Sequence, residues 1–291
     1  MRFATFTHGD GTERCVGAVS ADGSSLTRLD LSAEEAQKGV LALVDLAARG
    51  QDLSSLPGTR LPMDSVVLKA PIPAPRRNIF CVGRNYHAHA KELSGSVFKA
   101  NNADPAAWPI VFTKLPECVV GPNDQVVLPG AISSQIDYEA ELAVIIGTGG
   151  KNISRDDALK HVFGYTIVND VTARDVQMRH QQWDLGKSFD TFCPMGPWVV
   201  TADELDGTST RVRCWVNGEP RQDGHTRDFI FDIPALIETC SRGITLLPGD
   251  IIATGTPAGV GMGLNPPEYL KTNDVVRIEI DGLGVLENRF I

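Results

Sequence analysis

At 291 residues, with 42% hydrophobic and 22% charged residues, the chain has an ordinary globular composition and can bury a sizeable core. A net charge of −9 with no Lys/Arg-rich block argues against a nucleic-acid partner, and any anionic substrate would need a locally positive pocket. The start of the chain lacks an apolar signal-peptide core, no apolar stretch nears membrane-spanning length, and the six cysteines are scattered without a C-x-x-C pair, so a cytoplasmic protein with reduced thiols and no membrane partner is expected.

Residues 1–68 read as a compact leading unit. Arg2–Thr7 and Cys15–Val19 flank the turn-rich His8-Gly9-Asp10-Gly11, which predicts a hairpin. Asp22-Gly23 marks another turn. Ser32-Ala33-Glu34-Glu35 opens a helix with a capping residue and early acids, and Leu41 through Ala48 fits a second helical stretch. Pro71, Pro73 and Pro75 then favour an extended linker, which sets a boundary between a small N-terminal domain, 1–73, and a larger domain, 74–291.

Beyond the linker, strands outnumber helices. Strands are expected at Asn78–Val82, Ile110–Thr113, Val126–Leu128, Glu139–Ile146, Tyr165–Asn169, Trp198–Thr201, Thr210–Val216, Asp250–Ala253 and Val275–Ile280. Helical pieces are expected at His87–Leu93, Arg155–His161, Thr172–His180 and Asp232–Ser241. Strand and helix do not alternate regularly, which argues against a doubly wound parallel sheet. The expected class is α+β, mostly β: a mixed β-sandwich roll with a small N-terminal α/β domain.

Asp137, Glu139 and Glu141 stand directly before an unbroken apolar run, Leu142–Ile146. In one extended strand these alternate side chains share a face, and Glu139 and Glu141 have Cα atoms roughly 6–7 Å apart. Like charges so close at the start of a buried strand are costly unless neutralised, and a hard divalent cation held by oxygen ligands is the simplest neutraliser. A solvated edge-strand face is the alternative. Asp170, ending the apolar strand Tyr165–Asn169, is the candidate third ligand, although it could equally cap a following helix. Asp137, at the strand mouth, is expected to be solvated rather than a metal ligand.

Three more segments carry chemistry. In Cys81 to Glu92, His89 and Glu92 lie three residues apart on a short helix, where a carboxylate can fix the tautomer of an imidazole base. An exposed pair of surface charges is the alternative, and His87 projects elsewhere. Lys187, in the irregular segment Leu185–Pro197, can supply positive charge to an anionic substrate or be a solvated lysine. Cys193 in that segment is a possible thiol nucleophile without an evident activating neighbour. Gly255 to Gly263 matches neither a nucleotide P-loop nor a dinucleotide fingerprint, and reads as a loop offering backbone N–H groups and the Thr256 hydroxyl to a carboxylate.

In this order the segments resemble the fumarylacetoacetate hydrolase superfamily, its smaller bacterial branch of acylpyruvases and diene-dioate isomerases. The G-x-N-Y-x-x-H-x-x-E pattern falls on Gly83, Asn85, Tyr86, His89 and Glu92, the E-x-E pair on Glu139 and Glu141, and N-D-x-T-A-R-D on Asn169 to Asp175. Lys187–Pro197 and Gly255–Gly261 match two further motifs. The resemblance implies a Mg²⁺ or Mn²⁺ enzyme, usually a homodimer, acting on a small anionic 2-oxo acid. Glu139, Glu141 and Asp170 would be metal ligands and His89, Glu92 and Lys187 the catalytic groups. Arg84, Tyr86, Lys114, Gln177, Gly255 and Thr256 would be substrate contacts, with Arg179 a further candidate. The stretch Ser94–Trp108 would shape substrate choice. The leading expectation is hydrolysis of the C–C bond of an acylpyruvate such as fumarylpyruvate, in aromatic-compound catabolism. Decarboxylation or isomerisation of a 2-hydroxydienedioate or oxaloacetate on the same scaffold is the alternative.

Overall fold

The computed structural model describes residues 1–9, 11–92, 107–179 and 182–291. Its leading strands are β1 (Arg2–His8), β2 (Cys15–Val19), β3 (Ser25–Leu29), β4 (Gly58–Pro62), β5 (Val66–Lys69) and β6 (Ile79–Gly83). The middle of the chain adds β7 (Ile110–Lys114), β8 (Val119–Val120), β9 (Ile136–Asp137), β10 (Ala140–Ile146), β11 (Val162–Asn169) and β12 (Thr172–Ala173). The last third adds β13 (Cys193–Thr201), β14 (Arg211–Val216), β15 (Glu219–His225), β16 (Ile251–Ala253), β17 (Val275–Ile280) and β18 (Gly284–Arg289). The helices are α1 (Ala33–Gln37), α2 (Val40–Ala48), α3 (His87–Glu92), α4 (Arg174–Gln177), α5 (Asp184–Lys187) and α6 (Ile233–Ser241).

One large mixed sheet runs β4-β3-β2-β1-β13-β11-β10-β16-β6-β7, and a four-stranded sheet, β15-β14-β17-β18, lies beside it. Most pairs are antiparallel, while β16 with β6 and β13 with β8 run parallel. This is the mostly β, α+β class expected. β10 is hydrogen-bonded on both edges, to β11 and β16, and every residue in it is buried. Burial on both faces is why it reads as a continuous apolar run. β14 and β17 alternate buried and half-buried positions, as strands with one face on a core do.

The N-terminal strands extend this same sheet. β1 pairs with β13 at Arg2↔Val200 and Phe3↔Val199, so hydrogen bonding crosses the Ala70–Pro75 segment. Phe3, Val40 and Leu43 share the main core with β10 and β11, while Ala4, Phe6 and Leu26 form a separate small cluster. The Ser32 cap forms in full: its hydroxyl accepts from Glu35 N, and Glu35 accepts from Ser32 N.

Several sequence expectations are corrected. Val126–Leu128 makes only an isolated bridge, Val126 to Phe290. Of the helix expected over Thr172–His180, Thr172 and Ala173 form a short strand paired with β9 and Arg174–Gln177 the single turn α4, while His180 lies outside the described residues. Arg155–His161 shrinks to a 3₁₀ turn, Ala158–His161. β15 went unpredicted because Glu-Pro-Arg-Gln-Asp-Gly-His has no apolar alternation, and its hydrogen bonds to β14 are what make it a strand. Among the described residues no helix is long and apolar enough to cross a membrane.

Candidate active site

The carboxylates meet where β10 and β11 pair. Asn169, the last residue of β11, and Asp170 after it reach back to the residue before β10: Glu139 N donates to Asn169 Oδ1 (3.0 Å), and Asp170 N donates to Glu139 O (2.9 Å). That register places Glu139, Glu141 and Asp170 together, with oxygens from all three within 4.8 Å of one another. All are buried, which removes the solvated-edge alternative. Asp170 does not cap α4, whose start has no side-chain cap.

Cations surround two of the three carboxylates. Lys187 Nζ donates to Glu139 Oε2 and Asp170 Oδ2, both at 2.7 Å, with its ammonium 4.9 Å from the centre of the Phe112 ring. Arg174 Nη2 lies 2.6 Å from Glu139 Oε1. Glu141 has no ion pair among the described residues, only the amide of Gly255 on Oε2 (2.8 Å). Burial, then Asp170 and Glu139, push its carboxyl well above the ordinary value. Burial would also raise Glu139, but Lys187 and Arg174 outweigh it and hold that carboxyl low. With Asp137 and the three carboxylates all ionised, Lys114, Lys187 and Arg174 would leave one negative charge over, the charge a bound cation would take up. A buried all-oxygen cluster with an unbalanced charge fits a hard divalent cation.

Asp137 is not solvated. The strand breaks at Tyr138-Glu139, so Asp137 belongs to β9. It is fully buried, accepts from Arg174 Nε (2.8 Å) and from the amides of Gly261 (2.7 Å) and Met262 (2.9 Å), and lies outside the metal cluster. Arg174 ties Asp137 to Glu139. It stands inside the N-D-x-T-A-R-D stretch, yet the motif alone does not tell that its guanidinium would join two carboxylates.

His89 and Glu92 form the expected pair on α3. His89 Nδ1 lies 3.0 Å from Glu92 Oε2, His89 is buried, and Glu92 is largely so. This is no exposed pair of surface charges. His87 is exposed. A small cavity is lined by His89, Glu139, Glu141, Arg174 and Lys187 together with Arg84, Gln177 and Thr256. Val82, Gly83, Phe112 and Trp183 give it an apolar side. Gly83 is required there: a Cβ on it would lie 2.4 Å from the Trp183 ring. Phe112 and Trp183 had no motif to announce them.

Three expected substrate contacts lie elsewhere. Lys114 is fully buried, donating to Asp170 Oδ1 (2.7 Å), Val171 O (3.1 Å) and Lys187 O, so it supports the carboxylate cluster from behind. Tyr86 packs edge-on to Phe229 with ring centres 4.8 Å apart and does not line the cavity. Gly255 serves Glu141 rather than a ligand. Arg179 is exposed. Cys193 is buried, its thiol pushed well up by contact with Cys118 and by burial, which makes it a poor nucleophile. Of the Ser94–Trp108 stretch, residues 94–106 lie outside the described residues.

Residues 78–291 match the family model of the fumarylacetoacetate (FAA) hydrolase C-terminal domain. Oxaloacetate tautomerase YisK of Bacillus subtilis is 51% identical over 78% of this chain and 74% of its own length. The mitochondrial oxaloacetate tautomerase FAHD2A of Homo sapiens is 46% identical over 79% of this chain and 71% of its own. Among solved structures, fumarylacetoacetate hydrolase from psychrophilic Exiguobacterium antarcticum superposes with a TM-score of 0.83 at 41% identity, covering 100% of this chain and 99% of that one.

Proposed function

The chain belongs to the fumarylacetoacetate hydrolase family, and from that premise we propose that it is a Mg²⁺- or Mn²⁺-dependent tautomerase interconverting the keto and enol forms of oxaloacetate or a close 2-oxo dicarboxylate. The observation that carries the reading is that His89, paired with Glu92, lines the same small cavity as Glu139 and Glu141, which cluster with Asp170. Within the family, the relatives named oxaloacetate tautomerase favour this reaction over acylpyruvate cleavage.

Glu139, Glu141 and Asp170 would hold the cation. When bound, it supplies Lewis-acid polarisation of the 2-oxo group and reverses the leftover negative charge, so an anionic substrate is attracted. Glu92 accepts the Nδ1 proton of His89, which leaves Nε2 as a base for C3 of the keto form. Lys187 and Arg174 oppose the negative charge that develops on the 2-oxygen as the C3 proton leaves. A proton returned to that oxygen completes the enol, and the reverse sequence gives the ketone. No C–C bond breaks. Arg84 and Gln177, on the cavity wall, would bind the distal carboxylate.

The test supplies Mg²⁺ with enol-rich oxaloacetate in one arm and fumarylpyruvate in the other. Faster decay of the enol without pyruvate or CO₂ is expected. Pyruvate from fumarylpyruvate would restore the hydrolase reading, and CO₂ from oxaloacetate would make the protein a decarboxylase.

A further inference from the structure

The loop from Gly255 to Gly263 serves three carboxylates on separate elements, two fully buried and Glu92 partly so, with its backbone amides. Gly255 N donates to Glu141, Gly259 N to Glu92 Oε1 (2.9 Å), and Gly261 and Met262 to Asp137. We propose that this loop is the positioning element of the proton-transfer pair: the Gly259 amide and the bare Cα of Gly263 together seat Glu92 against His89. This rests on the reading of His89 and Glu92 as that pair.

Glu92 lies on α3. Both of its oxygens are engaged, Oε2 by His89 and Oε1 by Gly259. The Gly259 peptide is itself fixed. Tyr138 Oη donates to its carbonyl (2.9 Å), its φ is +105°, and a Cβ there would lie 1.9 Å from Arg221 O. Gly263 makes the space. A Cβ on it would lie 2.3 Å from both Cδ and Oε1 of Glu92, although its own backbone is not left-handed and would accept alanine. The group it would strike is the end of a flexible side chain, so a methyl at 263 displaces the carboxylate rather than the fold. Without that carboxylate the imidazole loses the partner that sets its tautomer and ring orientation.

The experiment is a double-mutant cycle on the metal-loaded enzyme with Gly263→Ala, Glu92→Ala and the two combined. Gly263→Ala is expected to lower kcat about 10–100-fold, the usual cost of losing a partner that orients a histidine, with KM and calorimetric Mg²⁺ affinity little changed. The combined variant should be no slower than Glu92→Ala, because the space contested by the methyl is then empty. Full kcat in Gly263→Ala, or two losses that multiply, would overturn the proposal. If Gly263→Ala does not fold, a combined variant that folds supports the shared space, and one that also fails refutes it. Undiminished turnover in Glu92→Ala would remove the pair reading itself, while thermal unfolding of the same variants still reports whether residues 92 and 263 compete for one space.

Discussion

Two regions of the large sheet are built from opposite materials. At the N-terminal end, β1 to β4 close over the apolar side chains of Ala4, Phe6, Val19 and Leu26. Around β10, β11 and β6 the same sheet surrounds four buried carboxylates and three buried cations. Burial stabilises the first region through the hydrophobic effect. In the second, burial has to be offset charge by charge, and Glu141 is left without a cation.

Glu141→Gln separates them most sharply. It should abolish Mg²⁺ binding in calorimetry and all metal-supported turnover, yet leave the thermal stability of the metal-free protein equal or higher, since it replaces a buried carboxyl that has no cation beside it with a neutral amide of the same shape. Chelation of the wild type should reproduce the loss of turnover, and added Mg²⁺ should restore it. A lower melting temperature in metal-free Glu141→Gln would break the comparison.

Phe6→Ala is the converse. Truncating a buried phenylalanine costs about 3–5 kcal/mol, read by denaturant unfolding, and kcat per folded molecule should not change. A parallel fall in kcat would mean that the two regions are coupled.

The smallest effect is expected at the turn joining β2 and β3. The Ser20 hydroxyl, then the Ser24 amide and hydroxyl, hold Asp22 at about 2, below its ordinary 3.8. A carboxyl held low stabilises the fold above its unfolded value and loses that contribution as pH falls through its folded one. Asp22→Asn should therefore unfold at a slightly lower temperature than wild type at neutral pH, and the gap should close as pH drops from 3.8 toward about 2. A gap that persists at the acid limit would show that the carboxylate charge is not its source.

The two regions were also unequally legible in the sequence. Glu139, Glu141, Asp170, His89, Glu92 and Lys187 could be picked out because charged side chains beside buried strands demand an explanation, and motif spacing supplied one. Lys114 and Gly255 were recognised as relevant but aimed at substrate. Which side of a carboxylate cluster a residue supports is fixed by β7 and the glycine loop packing around it, and spacing does not carry that information. Asp137 failed for the same reason: its solvated reading assumed one unbroken strand, and the break at Tyr138-Glu139 turned it toward Arg174. The N-terminal hairpin and the Ser32 cap were local and read correctly. β15 was invisible because only its neighbour makes it a strand. The preference for C–C hydrolysis among the reactions of the family came from no residue in the site.

The most direct test of the central claim is solvent-deuterium exchange at C3 of oxaloacetate, followed by NMR with Mg²⁺ present. Wild type should exchange C3 protons well above the uncatalysed rate without forming pyruvate. His89→Asn should fall by about 10²–10⁴, the usual worth of a general base, while keeping its Mg²⁺ affinity. Exchange that survives unchanged in His89→Asn would contradict the account.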